Sequence, residues 1–194
     1  MFRCFIETNN NESKFKQIMK FTETKLKGSF IIEPTKLNDD RGFFTRVWDK
    51  KIFDEMGLNS KLEQCNVSLS KKKGTIRGMH YQIEPYQETK LVRCTRGRIY
   101  DVIIDLRSNS KTFKEWIGVE LTFLNHKILY VPKGFAHGFQ SLEDNTEIFY
   151  QVSQSYTPNA EKGINWKDDA FNISWPLEPT VISQKDSSWP KFNF

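Results

Sequence analysis

From Met19 onward the chain is built of short runs rich in β-branched and aromatic residues: "SFIIEP", "GFFTRVW", "LEQCNVSLS", "TIRGMHYQI", "KLVRCT", "RIYDVIIDL", "WIGVEL", "KILYVP", "HGFQSL" and "EIFYQVS". Glycine, proline, asparagine or charged residues separate them, which is the pattern of strands divided by turns. One segment reads as helix, Asp49 to Met56: Asp49 is placed to cap its first turn and Gly57 to close it in the left-handed conformation. Many strands without intervening helices predict a sandwich or barrel. After Tyr156 the alternation fades, and "TPNAEKGINWKDDAFNISWPLEP" is expected to form turns and short helical pieces across the mouth of the sheets. Residues 1–20, rich in Asn and Lys, read as a mobile or loosely docked extension, and residues 21–194 as one domain without repeat or linker.

Composition narrows the partners. A chain of 194 residues with 38% hydrophobic and 14% aromatic content buries a real core, and its 16 phenylalanines suit a sheet interior. No apolar run approaches bilayer length, and the opening "MFRCFIETNNNESKFKQ" lacks the apolar stretch of a secretory signal, so a cytoplasmic location is expected with no membrane partner. Cys4, Cys65 and Cys94 are widely spaced and odd in number, which points to free thiols in a reducing compartment. The net charge of +5 is spread among acidic residues, and Lys71-Lys72-Lys73 before Gly74 reads as a solvated turn. No helix carries a basic stripe, so no nucleic-acid partner is expected, and a small anionic ligand fits the charge.

The chemistry gathers around two segments. "VPKGFAHGF" spaces Pro132, Gly134 and His137 as P-x-G-x-x-H, which resembles the second signature of the cupin superfamily, a double-stranded jelly roll. The first signature would carry H-x-H and a glutamate as metal ligands, but here the matching stretch reads His80-Tyr81-Gln82. With His126 in a turn-like "LNHK", only His80 and His137 are left as ligands, too few for a metal, and a metal-dependent dioxygenase is not expected. An imidazole without a metal suits proton abstraction near neutral pH, given a carboxylate to hold it. Asp168 or Asp169 in "NWKDDAF" is a candidate for that carboxylate, Tyr150 or Tyr156 for a proton donor, and Arg77 and Lys90 for cations that neutralise an enolate or a phosphate. Taken singly, each has an ordinary structural explanation: Tyr150 as a core aromatic, Asp168 as a turn cap, His137 as a brace, Arg77 and Lys90 as surface charge.

Taken together, "DDRGFF", "RGMHYQ", "KLVRCTRGRIYDVIIDLR", "VPKGFAHGF", "EIFYQVSQSYTP" and "GINWKDDAFNISWP" resemble, in order and spacing, the dTDP-4-dehydrorhamnose 3,5-epimerases, metal-free cupins. The resemblance implies an all-β cupin jelly roll with a few short helices and no cofactor. It implies epimerisation at C3 and/or C5 of a nucleotide-linked 4-keto-6-deoxy hexose, in the synthesis of deoxysugar and polysaccharide precursors. It further implies His80 as the base, Asp168 as its paired carboxylate and Tyr150 as the acid on the opposite face. Arg77, Lys90, His137, Gln64, Asn66 and Tyr156 are implied as pocket residues, with Arg41 and Phe44 reaching the nucleotide from a partner subunit of a homodimer. Arg46, Asp169, Val67 and Leu69 depart from residues common in the family. The alternatives are a mono-epimerase, a sugar 3,4-ketoisomerase, which would call for a second histidine near the first, and a non-catalytic sugar-binding cupin.

Overall fold

The computed structural model describes residues 18–192. Fourteen strands and two short helices follow in chain order: β1 (Met19–Glu23), β2 (Phe30–Pro34), β3 (Leu37–Asp39), β4 (Gly42–Phe44), α1 (Lys50–Glu55), β5 (Gln64–Ser70), β6 (Thr75–Gln82), β7 (Lys90–Arg96), β8 (Arg98–Asp105), β9 (Trp116–Thr122), β10 (Ile128–Val131), β11 (Phe135–Ser141), β12 (Thr146–Val152), β13 (Glu161–Gly163), β14 (Val181–Ile182) and α2 (Gln184–Ser187). β1 begins at Met19, inside the segment expected to be an extension, and residues 1–17 lie outside the described residues.

One sheet runs β1-β2-β10-β7-β12-β5 and the other β13-β6-β11-β8-β9, with β14 added in parallel to β6, while β3 and β4 form a separate hairpin. The two large sheets close on each other as a cupin jelly roll. Val92, Leu129 and Ile148 from one sheet meet Ile99, Ile103, Leu121 and Phe139 from the other in one buried cluster. Truncating a side chain in such a core to alanine costs about 2–5 kcal/mol. The "IYDVIID" of β8 is apolar at odd and even positions because both of its faces are covered: Ile99 and Ile103 enter the inner core, and Val102 and Ile104 pack under Phe171 and Ile164 of the tail.

The helix falls where its cap and stop place it. The Asp49 carboxylate accepts the N–H groups of Lys51 and Ile52, and Gly57 stands at φ +67. Phe53 on its inner face is fully buried against Met19, Ile32 and Tyr130. Two expectations need correction. "GFFTRVW" is a strand only to Phe44, because β4 pairs with β3 alone and that ladder is three residues long. The segment after Tyr156 also contributes strands: β13 and β14 bond to β6 and carry the chain across the mouth.

Candidate active site

Two adjoining cavities of about 390 and 440 Å³ open between the sheets, and His80, Lys90, Tyr150 and Lys185 line both. β6 supplies Arg77 and His80, which are three residues apart. In a regular strand such residues point to opposite faces. Here His137 pairs with His80 and Phe139 with Arg77, so three residues of β6 run past two of β11. The extra residue forms a bulge that turns both side chains into the cavity. Gly78 sits within it at φ +122, where a Cβ would fall 2.5 Å from the Cα of Gly138, so the two strands close only as glycine on glycine.

His80 does not meet Asp168. Its Nε2 lies 2.6 Å from Oδ1 of Asp186, on α2. The other oxygen of Asp186 accepts the Gly78 N–H at 3.2 Å, and the Asp186 N–H donates to Ser183 Oγ at 3.0 Å. Burial opposes ionisation of this carboxyl, but the hydrogen bond and charge of His80, with the Gly78 and Ser183 contacts, outweigh it and hold the group below its ordinary value. The His80 side chain is 32% exposed and that of Asp186 6%, so the imidazole is open to a ligand while its brace stays dry. With Nε2 committed to the carboxylate, Nδ1 is the nitrogen left to take a proton.

Asp168 is a turn cap. Its Oδ1 accepts the Ala170 N–H at 2.9 Å and its Oδ2 the Phe192 N–H at 2.5 Å, and it is 3% exposed beneath the tail. Both carboxylate oxygens are used up in holding backbone, which leaves the residue no reach toward β6. Asp169 is exposed and paired with Lys191.

Tyr150 approaches from the opposite sheet, on β12 between Asn66 and Val92. Burial raises its phenol above the ordinary value, Glu88 adds to the effect and Arg77 opposes it, so the phenol stays protonated. Lys90, on β7, is bonded to Glu88. His137 lines the first cavity and binds Asp101 at 2.5 Å through Nε2. Arg77 reaches the Leu69 carbonyl at 3.0 Å. Gln64, Asn66 and Tyr156 line the second cavity, so eight of the expected pocket residues converge. Arg41 and Phe44 do not. They lie on the exposed β3–β4 hairpin, where Arg41 pairs with Asp39 at 2.5 Å. Among the described residues no three His, Cys, Asp or Glu side chains gather as a metal set.

Asp186, Lys185 and Glu161 were not anticipated. Lys185 Nζ and Tyr156 Oη both donate to Oε2 of Glu161, at 2.5 and 2.6 Å, forming a polar wall that lines the second cavity together with Gln64 and Asn66. Their sequence signal is faint: Ser183 and Asp186 in "SQKD" have the Ser-x-x-acid spacing of a capped helix start, which reveals a turn but not what it faces.

The same arrangement of strands occurs in known proteins. Residues 23–193 match the profile of the dTDP-4-dehydrorhamnose 3,5-epimerase family. The chain is 42% identical over 175 residues to the dTDP-4-dehydrorhamnose 3,5-epimerase of Shigella flexneri, covering 90% of this chain and 96% of that one. It is similar, with a TM-score of 0.87 and 43% identity, to the Bacillus anthracis dTDP-4-dehydrorhamnose 3,5-epimerase structure with TDP and PPi bound, over 90% of this chain and 99% of that one. A Legionella pneumophila dTDP-6-deoxy-D-glucose-3,5-epimerase in complex with dTDP-4-keto-L-rhamnose aligns at 34% identity and TM-score 0.83, over 91% of this chain and 100% of that one. Identity at this level, sustained over so much of every chain, means that this chain belongs to the dTDP-4-dehydrorhamnose 3,5-epimerase family of isomerases.

Proposed function

We propose that the protein inverts C3 and C5 of a dTDP-linked 4-keto-6-deoxy hexose. The observation that carries the reading is a braced imidazole and a protonated phenol on opposite sheets, lining the same space. A ketone acidifies the C–H bonds on both of its flanks. His80 takes one of these protons, and Asp186 stabilises the imidazolium that forms. The electron pair moves onto the ketone oxygen, where Lys90, His137 and Arg77 supply hydrogen-bond donors and positive charge. Tyr150 returns a proton from the other face, and the centre is inverted. A well-placed base contributes roughly 10²–10⁴-fold, and one well-placed donor at the oxyanion about 3–4 kcal/mol. Because the two cavities share His80, Lys90, Tyr150 and Lys185, a molecule longer than either one, such as a nucleotide sugar, lies across both with the sugar at the shared wall.

The test is incubation with dTDP-4-keto-6-deoxyglucose in heavy water, following the C3 and C5 protons by NMR. Deuterium is expected at both carbons. Entry at one alone would make the protein a mono-epimerase, and entry at neither would end the proposal for this substrate.

A homodimer is part of the proposal. Val67, Phe149 and Arg93 form one row across the outer face of the first sheet, with the Arg93 guanidinium 5.7 Å from the Phe149 ring centre. Leu37 and Phe44 on the neighbouring hairpin are 63% and 62% exposed. A second copy covering this face would bury that apolar surface and bring Arg41 and Phe44 toward its partner's cavities. Light scattering at micromolar concentration should report twice the chain mass, and a single-chain mass would refute it. Cys65 and Cys94 are free thiols, which supports a reducing, cytoplasmic setting. Among the described residues no helix is long and apolar enough to cross a membrane.

A further inference from the structure

Lys90 owes its place to a side chain that the chemistry above leaves unused. The Glu88 carboxylate, 9% exposed, binds the Lys90 ammonium, 12% exposed, through Oε1. Its Oε2 accepts from Gln82 Nε2 at 2.5 Å. Gln82 is held in turn by the Tyr86 and Ser155 carbonyls, at 3.0 and 3.3 Å, and its Oε1 accepts the Thr157 N–H at 2.6 Å. The backbone beside Glu88 is fixed as well: the Thr89 N–H donates to Ser153 Oγ at 2.8 Å and the Ser153 N–H to the Thr89 carbonyl at 3.0 Å. Burying an ion pair seldom adds net stability, because desolvation offsets the attraction. A buried pair so firmly anchored in a cavity wall points to a task in the cavity.

We propose that Glu88 is a positioning residue, pinning the Lys90 ammonium at the ketone oxygen of the sugar and setting a negative charge in the cavity that Tyr150 also lines. The inference rests on the epimerase reading and names what sets its alkaline limit. Lys90 stabilises an enolate only while charged, and Tyr150 returns a proton only while it holds one. An anion in the same cavity adds to burial in favouring the protonated phenol.

The surrounding groups leave this task to Glu88. From β6, His80 and Arg77 face the cavities, and from β11 His137. Glu161 comes from β13, Tyr156 from the segment between β12 and β13 and Lys185 from α2, while Asp101 of β8 feels the charge of Lys90. Asp186 is bound to His80, Asp101 to His137, and Glu161 to Lys185 and Tyr156. Glu88 is the carboxylate bonded to Lys90, and the phenol it acts on is opposed by Arg77.

The test is Glu88→Gln, read first without substrate. The ultraviolet phenolate titration of the parent minus that of Tyr150→Phe isolates Tyr150, and the same subtraction is made in the Glu88→Gln background. The Tyr150 titration is expected about one unit lower in Glu88→Gln. In the exchange assay the alkaline limb of kcat/KM should move down with it, and kcat should fall about tenfold while KM changes less than about threefold. Superimposed titrations overturn the proposal, as does a lower thermal midpoint with an unmoved titration, which would make Glu88 merely structural. A shifted titration in a parent that exchanges no substrate proton would overturn the epimerase reading and leave the hold of Glu88 on Tyr150 intact. Should Glu88→Gln not fold, Glu88→Asp carries the test, because it keeps the charge but draws it back from Lys90. Its kcat should fall about threefold to tenfold with the Tyr150 titration within about 0.3 units of the parent, and a parent-like kcat overturns the proposal.

Discussion

His80 and His137 stand opposite one another across the β6–β11 ladder, and each is bonded through Nε2 to an aspartate. The carboxylates differ. Asp186 comes from the tail, spends both oxygens on donors and sits below its ordinary pKa. Asp101 comes from the middle of β8, is fully buried, leaves Oδ2 without a partner and is pushed above its ordinary pKa by that burial, against the pull of His137 and Lys90. A satisfied carboxylate holds its charge and supports an imidazole that gains a proton. A half-satisfied one resists ionisation and serves to orient. Two pairs of the same composition are thus given different work by their hydrogen bonds and access to the cavity.

The largest expected effect separates the two imidazoles. His80→Ala should lower exchange by roughly 10²–10⁴-fold with the fold retained. Its thermal midpoint should drop by a few degrees, because the buried Asp186 carboxylate loses its partner. His137→Ala, which removes one donor near the developing oxyanion, should retain measurable exchange. Equal losses in deuterium incorporation would erase the distinction. Next come the carboxylates. Asp186→Asn should reduce kcat by about 10²-fold, while Asp168→Asn should leave kcat within about twofold and destabilise the fold by about 1–3 kcal/mol, because an amide N–H₂ would face the Phe192 or Ala170 donor. Denaturant melts with turnover assays decide it, and a large kcat loss in Asp168→Asn would return that residue to the site.

The smallest effect is in stability against pH. Asp186 titrates below 3.8 in the fold, so its contribution is present above that pH and is lost as the pH falls through the depressed folded value. Asp101 titrates above 3.8, so its contribution is complete below that pH and is lost as the pH rises through the raised value. Across about pH 3 to pH 8, Asp186→Asn should lose a few degrees at the neutral end only. Asp101→Asn, still able to accept from His137, should match or exceed the parent there. Parallel losses in both variants would show that the two carboxyls are not opposed.

Much of this could be read along the chain. The helix announced itself through Asp49 and Gly57, and the long strands through β-branched and aromatic runs that alternate where one face is open, as in β5, and run on where both are covered, as in β8. β13 and β14 escaped notice because strands of three and two residues carry no period. The partner of His80 escaped for a different reason. It lies 106 residues away, and nothing local ranks Asp186 above Asp168 or Asp169. Only the third dimension shows that Asp168 is spent on the backbone. Asp101 was not singled out either, although an acid inside "IYDVIID" carries a signal of its own, since it must be buried and must find a partner.

The additional residue in β6 makes the orientation of Arg77 independent of that of His80. Deleting one residue between them would restore the ordinary pleat with the two side chains two positions apart, still on one face but drawn closer along the strand. The reach between the two side chains along the cavity wall is therefore set by one inserted residue, and its loss would shorten the site rather than empty it.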